Sequence, residues 1–412
     1  MTQKLLCIST VWPEDKATAA GVRLMGLLDM LAPSFELHFA ASSKDQNAKK
    51  SLEKTNIFCH EIHLNDPGFK KLLQELLPQV VLFDRFIVEE QFGWIVRETL
   101  PEALCILDTE DLHSLRASRA LSLKNNRPFS LDFWKEQQIT YRELASIYRS
   151  DLSLIVSSYE YQLLIREWEL SEHLLMLLPL SYKPLEDSFV KDLAPYDQTQ
   201  GYVFIGNGLH KPNVNAIKWL YAHIWPLILK LQPQATINIY GAYLPQEILE
   251  LDRAKKGFHV RGHIVPTANA FKTARVNLAP LRFGAGIKGK ILDGFRFGVP
   301  NITTEIGVEG MQYEKEWPGL IANSALHFAE AAVSLYENES LWQEKRNLGL
   351  VYMDKYYNAN HHSKELINKL ESIRSSLQSH RRSHIQTQIL SSQAFMASKY
   401  LSLWIQEKNK NN

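Results

Sequence analysis

The sequence predicts an α/β protein made of two similar halves, each a parallel sheet with helices on both faces. Short apolar runs alternate with longer amphipathic ones, a polar stretch at 181–201 interrupts them once, and the same rhythm then restarts. At 412 residues the chain is also too long for one average core, so two domains are expected.

The first half opens with KLLCIST (4–10), read as a buried strand. GVRLMGLLDMLA (21–32) follows as a helix with Val22, Met25, Leu28 and Leu31 on one side. FELHFAAS (35–42), QVVLFDR (79–85), ALCILD (103–108), LSLIVSS (152–158) and HLLMLLPL (173–180) are further strands, with helical patterns between many of them. SYKPLEDSFVKDLAPYDQTQG (181–201) is rich in Pro, Asp, Ser and Gln and reads as a linker. The second half begins with the strand GYVFIGN (201–207) and the helix NVNAIKWLYAHIWPLILKL (213–231). The strands ATINIYG (235–241), FHVRGHI (258–264), ARVNLAPL (274–281) and NITT (301–304) come next. From about 325 the pattern is helical. The expected division is 1–185, a linker at 186–200, 201–350, and C-terminal helices with a tail at 351–412.

Forty-six basic and 45 acidic residues leave a net charge of +1, which argues against broad electrostatic binding to nucleic acid. Cys7, Cys59 and Cys105 are scattered, odd in number and without a CxxC pair. Neither a disulfide framework nor a zinc site is expected, and a reducing, cytoplasmic setting fits. The first apolar run is too short for a signal peptide and ends in proline and acid, and no run reaches the roughly 18 residues of a membrane span. The tail HRRSH (380–384) and IQTQILSSQAFMASKYLSLWIQ has a loose helical period. A helix packed on the body, an interfacial membrane helix using Tyr400 and Trp404, and a partner helix are all open readings.

PLRFGAGIKGKILDGFRFGVP (280–300) is the most informative stretch. GKILDGFRFG reads as a helix capped by Gly298, with Pro300 beyond and a buried stripe of Ile287, Ile291 and Phe295. RFGAGIKG is then the strand-to-helix turn. Its small residues let backbone N–H groups approach a ligand, the helix N-terminus adds partial positive charge, and Lys288 and Lys290 add full charges. A diphosphate site or a Gly-rich packing turn would both explain it. The spacing fits neither a dinucleotide fingerprint nor a Walker loop.

APLRFGAGIKGKILDGFRFGVPNITTEIGVEGM (279–311) resembles the donor site of family 4 glycosyltransferases, and FIGNGLHKPNVNAIKWL (204–220) resembles the opening of their C-terminal domain. The resemblance implies the GT-B fold, in which two Rossmann-like domains face each other across a cleft. It also implies transfer of a sugar, with retained configuration and without a metal, from a nucleotide-diphosphate sugar to an acceptor hydroxyl. Asp293 matches the second acid of the family's E-x7-E motif and would bind the donor ribose. Ala285 stands where the first acid belongs, so backbone groups of Gly284, Ala285, Gly286 and Ile287 would contact sugar and phosphate instead. After the first strand of that domain, beside Gly206, Asn207 takes the place of a phosphate-binding arginine, and Lys211 aligns with the lysine. Lys288 is the replacement phosphate contact, with Arg282 beside the turn, while Lys290 is expected in solvent or paired with Asp293. Gly262 and His263 would meet the base, uridine or guanosine.

In the first half, LDTEDLHSLRASR (107–119) follows a strand, where ligand crevices open in such sheets. The resemblance makes His113 the residue close to the transferred sugar. Asp108 and Asp111 are acceptor candidates, as are Arg85 and, in the first loop, Gly21 and Arg23. No metal and no cofactor are expected. The expected partners are the nucleotide-sugar donor, a carbohydrate or lipid-linked acceptor and, peripherally, the inner membrane face. A catalytically silent nucleotide-sugar-binding or assembly subunit is the alternative, kept open by Ala285 and Asn207. An epimerase of the same shape is a further one, with Ala285 against it.

Overall fold

A computed structural model describes residues 3–13, 19–393 and 396–410. Glu14 and Asp15, which end the first apolar segment, and Ala394 and Phe395 of the tail lie outside the described residues.

The first sheet contains β1 (Gln3–Ser9), β2 (Phe35–Ala41), β3 (Phe58–Glu61), β4 (Val80–Asp84), β5 (Leu104–Asp108), β6 (Leu152–Ile155) and β7 (Leu175–Leu177). The order is β3-β2-β1-β4-β5-β6-β7, and every pair is parallel. The second contains β8 (Tyr202–Ile205), β9 (Ile237–Tyr240), β10 (Phe258–Gly262), β11 (Val276–Ala279), β12 (Asn301–Thr303) and β13 (Gly319–Ile321). Its order is β10-β9-β8-β11-β12-β13, again all parallel. Strand order thus reverses beside β1 in one sheet and beside β8 in the other, where crevices open at the carboxyl ends of the strands.

The central strands carry continuous apolar runs because helices cover both faces. Leu5 pairs with Leu37 on one side and Val80 on the other, and the residues of β4 and β5 are fully buried. Two edge strands escape the sequence pattern. Phe58–Glu61 is short and half polar, and Gly319–Ile321 is three residues long. The long helix expected at 213–231 is continuous but not uniform. Lys211–Trp219 leads into a wide turn at Leu220–Ile224, and Trp225–Leu231 follows with Pro226 at its start. The wide turn closes with Trp225 N–H donating to Leu220 O, one residue before Pro226, which has no N–H to donate.

The chain crosses between the domains twice, and the crossings lie side by side. Tyr182 N–H donates to Tyr357 O at 2.8 Å, and Ala359 N–H donates to Tyr182 O at 2.9 Å. After the second crossing, helix Ala359–Ser375 returns to the N-terminal domain, where Leu366, Leu370 and Ile373 join the core around Leu24, Leu27 and Leu28. Arg381 then pairs with Asp151 at 2.7 Å. The C-terminal helices therefore strap the first domain. Among the described residues no helix is long and apolar enough to cross a membrane.

Candidate active site

A cavity of about 470 Å³ lies between the two domains at the carboxyl ends of both sheets. The Gly-rich turn after β11 and the loop after β8 make one wall. The segments after β4 and β5 make the other.

On the C-terminal wall, residues 280–288 lead into helix Gly289–Arg296, which ends at Gly298 in a left-handed conformation, φ +67°. Ile291 and Phe295 are fully buried and hold the helix on its sheet. Gly286 has φ +64°, and a Cβ there would stand 2.8 Å from Asp111 Cβ of the opposite domain. Only glycine allows so close an approach in this conformation. Ala285 packs into the core of the N-terminal domain with residues such as Leu112 and Leu163. Gly286 N–H donates to Glu160 Oε1 at 2.6 Å, also across the domain boundary. The same oxygen accepts from Leu112 N–H at 3.3 Å. Burial, then the charge of Asp111, raises the Glu160 carboxyl to about 8, opposed by those two N–H donors.

Lys288 is buried on this wall and donates to Gly286 O at 2.6 Å. Burial lowers its pKa, and nearby Glu309 opposes the shift. Lys290 donates to Asn213 Oδ1 at 2.6 Å; burial first, then repulsion from Lys288, lowers it to about 8. Asp293 faces the cavity, and burial raises its carboxyl to about 7.

The N-terminal wall is made of side chains. Arg85 follows β4 directly and Glu110 lies two residues beyond β5, and both hold left-handed backbone, φ +74° and +64°. Such conformations cost energy in residues with a Cβ and concentrate at functional sites. Both residues line the cavity. Burial, then Asp108 and Asp84, pushes Glu110 up to about 8. His113 starts helix His113–Lys124, where Glu143 accepts from its N–H at 2.8 Å and its ring stands edge-on to Phe86. Its Nε2 lies 3.4 Å from Asp111 Oδ1. Burial lowers the imidazole to about 4, so it is neutral at physiological pH. Asp111 Oδ2 accepts from Arg116 Nη1 at 2.7 Å, and that nitrogen lies 3.3 Å from His210 Nε2 on the other domain.

One ion pair locks the walls together. Arg119 donates to both oxygens of Glu309, at 2.7 and 2.8 Å, and to Gly284 O at 2.8 Å. Ser158 Oγ adds a bond to Gly310 O at 3.0 Å.

Of the residues singled out from sequence, the structure gathers His113, Arg85, Asp111, Gly206, Asn207, His263, Gly284, Ala285, Gly286, Ile287, Lys288 and Asp293 around the cavity. It places others elsewhere. Arg23 is buried against Asp108 at 2.6 Å and donates to Leu178 O, a structural pair behind the wall. Gly21 lies behind its neighbours Ala20 and Val22, which do line the cavity. Lys211 is exposed at the start of its helix, and Arg282 is exposed, bonded to Asn215 and stacked over Trp219. Gly262 ends an irregular strand outside the wall. Lys290 faces the cavity, against the expectation of solvent or of an Asp293 pair, because Asn213 draws its ammonium inward. Glu110, Arg116, His210, Asn213, Glu160 and Glu309 were not anticipated. For Glu160 there was a local signal: Ser157-x-x-Glu160 has capping-box spacing. Ser157 does cap its helix, but the glutamate reaches across to Leu112 and Gly286 instead. Among the described residues no group of three or more His, Cys, Asp or Glu is arranged to hold a metal ion.

Residues 199–338 match the model of the family described as Glycosyl transferases group 1. No curated protein sequence matches the chain. Among solved structures, sucrose-phosphate synthase from Thermosynechococcus elongatus is 15% identical with a TM-score of 0.69, covering 91% of this chain and 100% of that one. Anabaena HepE in complex with UDP and glucose is 11% identical with a TM-score of 0.66, covering 90% and 100%. A glycosyltransferase from Rickettsia africae is 11% identical with a TM-score of 0.62, covering 90% and 98%. The C-terminal domain is a group 1 glycosyltransferase domain, and the whole chain has the GT-B fold.

Proposed function

We propose that the chain is a retaining, metal-independent glycosyltransferase of family 4. It moves a sugar from a nucleoside-diphosphate sugar to an acceptor hydroxyl, in polysaccharide or glycolipid synthesis. One observation carries this: the turn at 284–288, Lys288, Lys290 and Asp293 share one wall of a cavity whose opposite wall presents His113.

In this reading the diphosphate lies at the start of helix Gly289–Arg296. Backbone N–H groups and the two lysines there stabilise the charge that builds on the leaving group. Fixed donors of this kind act before the bond breaks and need no reorganisation. Asp293 takes the ribose hydroxyls, and the base lies towards His263 and Ile264. His113, neutral, hydrogen-bonds a hydroxyl of the transferred sugar. The leaving phosphate oxygen takes the acceptor proton on the same face, so retention follows without an enzymic nucleophile. Arg85 and Asp111 border the acceptor side. The acceptor is a carbohydrate or a lipid-linked one, met in the cytoplasm. The exposed Tyr400, Leu401 and Trp404 of the last helix would touch the membrane face.

Three experiments test these parts. Nuclear magnetic resonance of the product with a matched donor should show the donor's anomeric configuration, with undiminished turnover in a chelator. An inverted product rejects the mechanism, and donor binding with neither transfer nor hydrolysis returns the silent binder. Unchanged pelleting with anionic liposomes after deletion of 385–412 rejects the membrane contact.

A further inference from the structure

Among the described residues, four cationic side chains line the cavity: Arg85, Arg116, Lys288 and Lys290. They are not equivalent. Lys288 donates to Gly286 O, and Lys290 donates to Asn213 and loses its proton near pH 8. Arg85 stands 3.5 Å from buried Asp84. Arg116 differs in what is fixed and what is left open. Nη1 is fixed, bonded to Asp111 at 2.7 Å and set 3.3 Å from His210 on the other domain. Among the described residues, Nε and Nη2 make no hydrogen bond, and the side chain keeps 27% of its surface accessible. A guanidinium cannot accept, so His210 Nε2 must be the acceptor in that contact, which requires a neutral imidazole. His210 is neutral: burial, then repulsion from Arg116, lowers it to about 4.

An arginine with one arm anchored and two donors open is preorganised for an anion with paired oxygens. We infer that Arg116 binds the diphosphate of the nucleotide donor from the N-terminal domain, opposite the Gly-rich turn, so that the phosphates are gripped from both domains. This rests on the nucleoside-diphosphate reading of the cavity given above. A consequence is that diphosphate binding is completed only when the domains meet: Arg116 reaches the C-terminal domain through His210, and without that approach the phosphates would meet cations from one wall only.

The test is calorimetric titration of the full chain and of Arg116→Ala, Arg116→Gln and Arg116→Lys with UDP, GDP and ADP and with the matching nucleoside monophosphates. Thermal melting checks that each variant folds. For the nucleoside diphosphate that the wild type binds, affinity should fall about tenfold or more in the alanine and glutamine variants and partly recover in the lysine variant. Affinity for the matching monophosphate should change less than threefold. Diphosphate affinity within twofold of wild type in a folded Arg116→Gln variant overturns the inference and leaves the site reading standing. Equal loss for diphosphate and monophosphate also overturns it, because the arginine would then only shape the cavity. If the wild type binds none of the three diphosphates, the site reading itself falls and takes the inference with it.

Discussion

The two walls of the cleft are built on the same topology and reach their chemistry by opposite routes. The C-terminal wall concentrates its chemistry in one continuous segment, 283–293, in which backbone, lysines and an acid follow one another along a turn and a helix, beside the loop after β8. The N-terminal wall is assembled from Arg85, Glu110, Asp111, His113 and Arg116, at the ends of two strands and on one helix. The first wall presents mainly donors and positive charge, and the second mixes carboxylates, a neutral imidazole and two guanidiniums. A site split this way depends on how closely the walls meet, and Gly286, Glu160 and the Arg119–Glu309 pair set that distance.

The largest expected effect comes from spoiling that approach. Gly286→Val would force a Cβ against Asp111 Cβ at a left-handed backbone position. We expect kcat/KM for transfer to fall about 100-fold, the scale that small misplacements of reacting groups produce. The melting temperature should fall as well, because a Cβ at this positive φ is strained. A variant that is folded and fully active would show that the walls need not touch there.

Glu309→Gln should come next. It leaves Arg119, 5% exposed, without its charged partner. Breaking a buried pair from one side costs about 3–5 kcal/mol. Because this pair joins two domains, much of that cost should appear as opening, read as a larger radius of gyration in small-angle scattering. An unchanged radius with an unchanged melting temperature would remove the pair from any role in closure.

Lys290 sharpens the contrast by pH. Its folded value is lowered to about 8, so it is charged below that and neutral above. Anion binding favours the charged form, so nucleoside-diphosphate affinity should hold steady below about pH 7 and decline through pH 8. Lys290→Arg should flatten the profile near its upper level, and Lys290→Ala near its lower one. A pH-independent wild type would assign the phosphates to other groups.

The smallest effect is expected at His113. Its value of about 4 keeps it neutral through the physiological range, so its hydrogen bond is a neutral one. Losing such a bond costs about 1 kcal/mol, or roughly fivefold in rate. His113→Asn should reduce turnover on that scale, with no new dependence between pH 5 and 8. A loss of 1000-fold would instead make it a proton-transferring residue.

The same contrast explains what could be read from the sequence. The Gly-rich turn was legible because its determinants are local: Ile291 and Phe295 recur at helical spacing, Gly298 caps the helix, and the lysines and Asp293 lie within two turns. The alternating strands were legible because both faces of the central ones are buried. The edges β3 and β13 were not, being short and partly exposed. The N-terminal wall was legible only at strand ends. Nothing local tells that Glu160 leaves its own helix for Gly286, that Arg116 meets His210, or that Ala285 stands in the neighbouring domain's core. The misplaced residues fail for a related reason. Arg23 and Arg282 carry the right charge near the site, but Arg23 lies in helix Ala19–Leu31 rather than a loop and is held by Asp108, and Asn215 with Trp219 holds Arg282.

The most direct test of a two-walled donor site is calorimetry with UDP-, GDP-, ADP- and dTDP-sugars on the wild type and on Asp293→Ala. We expect one nucleotide series to bind the wild type at micromolar concentrations and to lose at least tenfold in the variant, since Asp293 lies on the wall assigned to the ribose. Binding of no nucleotide sugar at high micromolar concentration, or equal binding by both proteins, would contradict the assignment and leave the Gly-rich turn as a packing device between two domains.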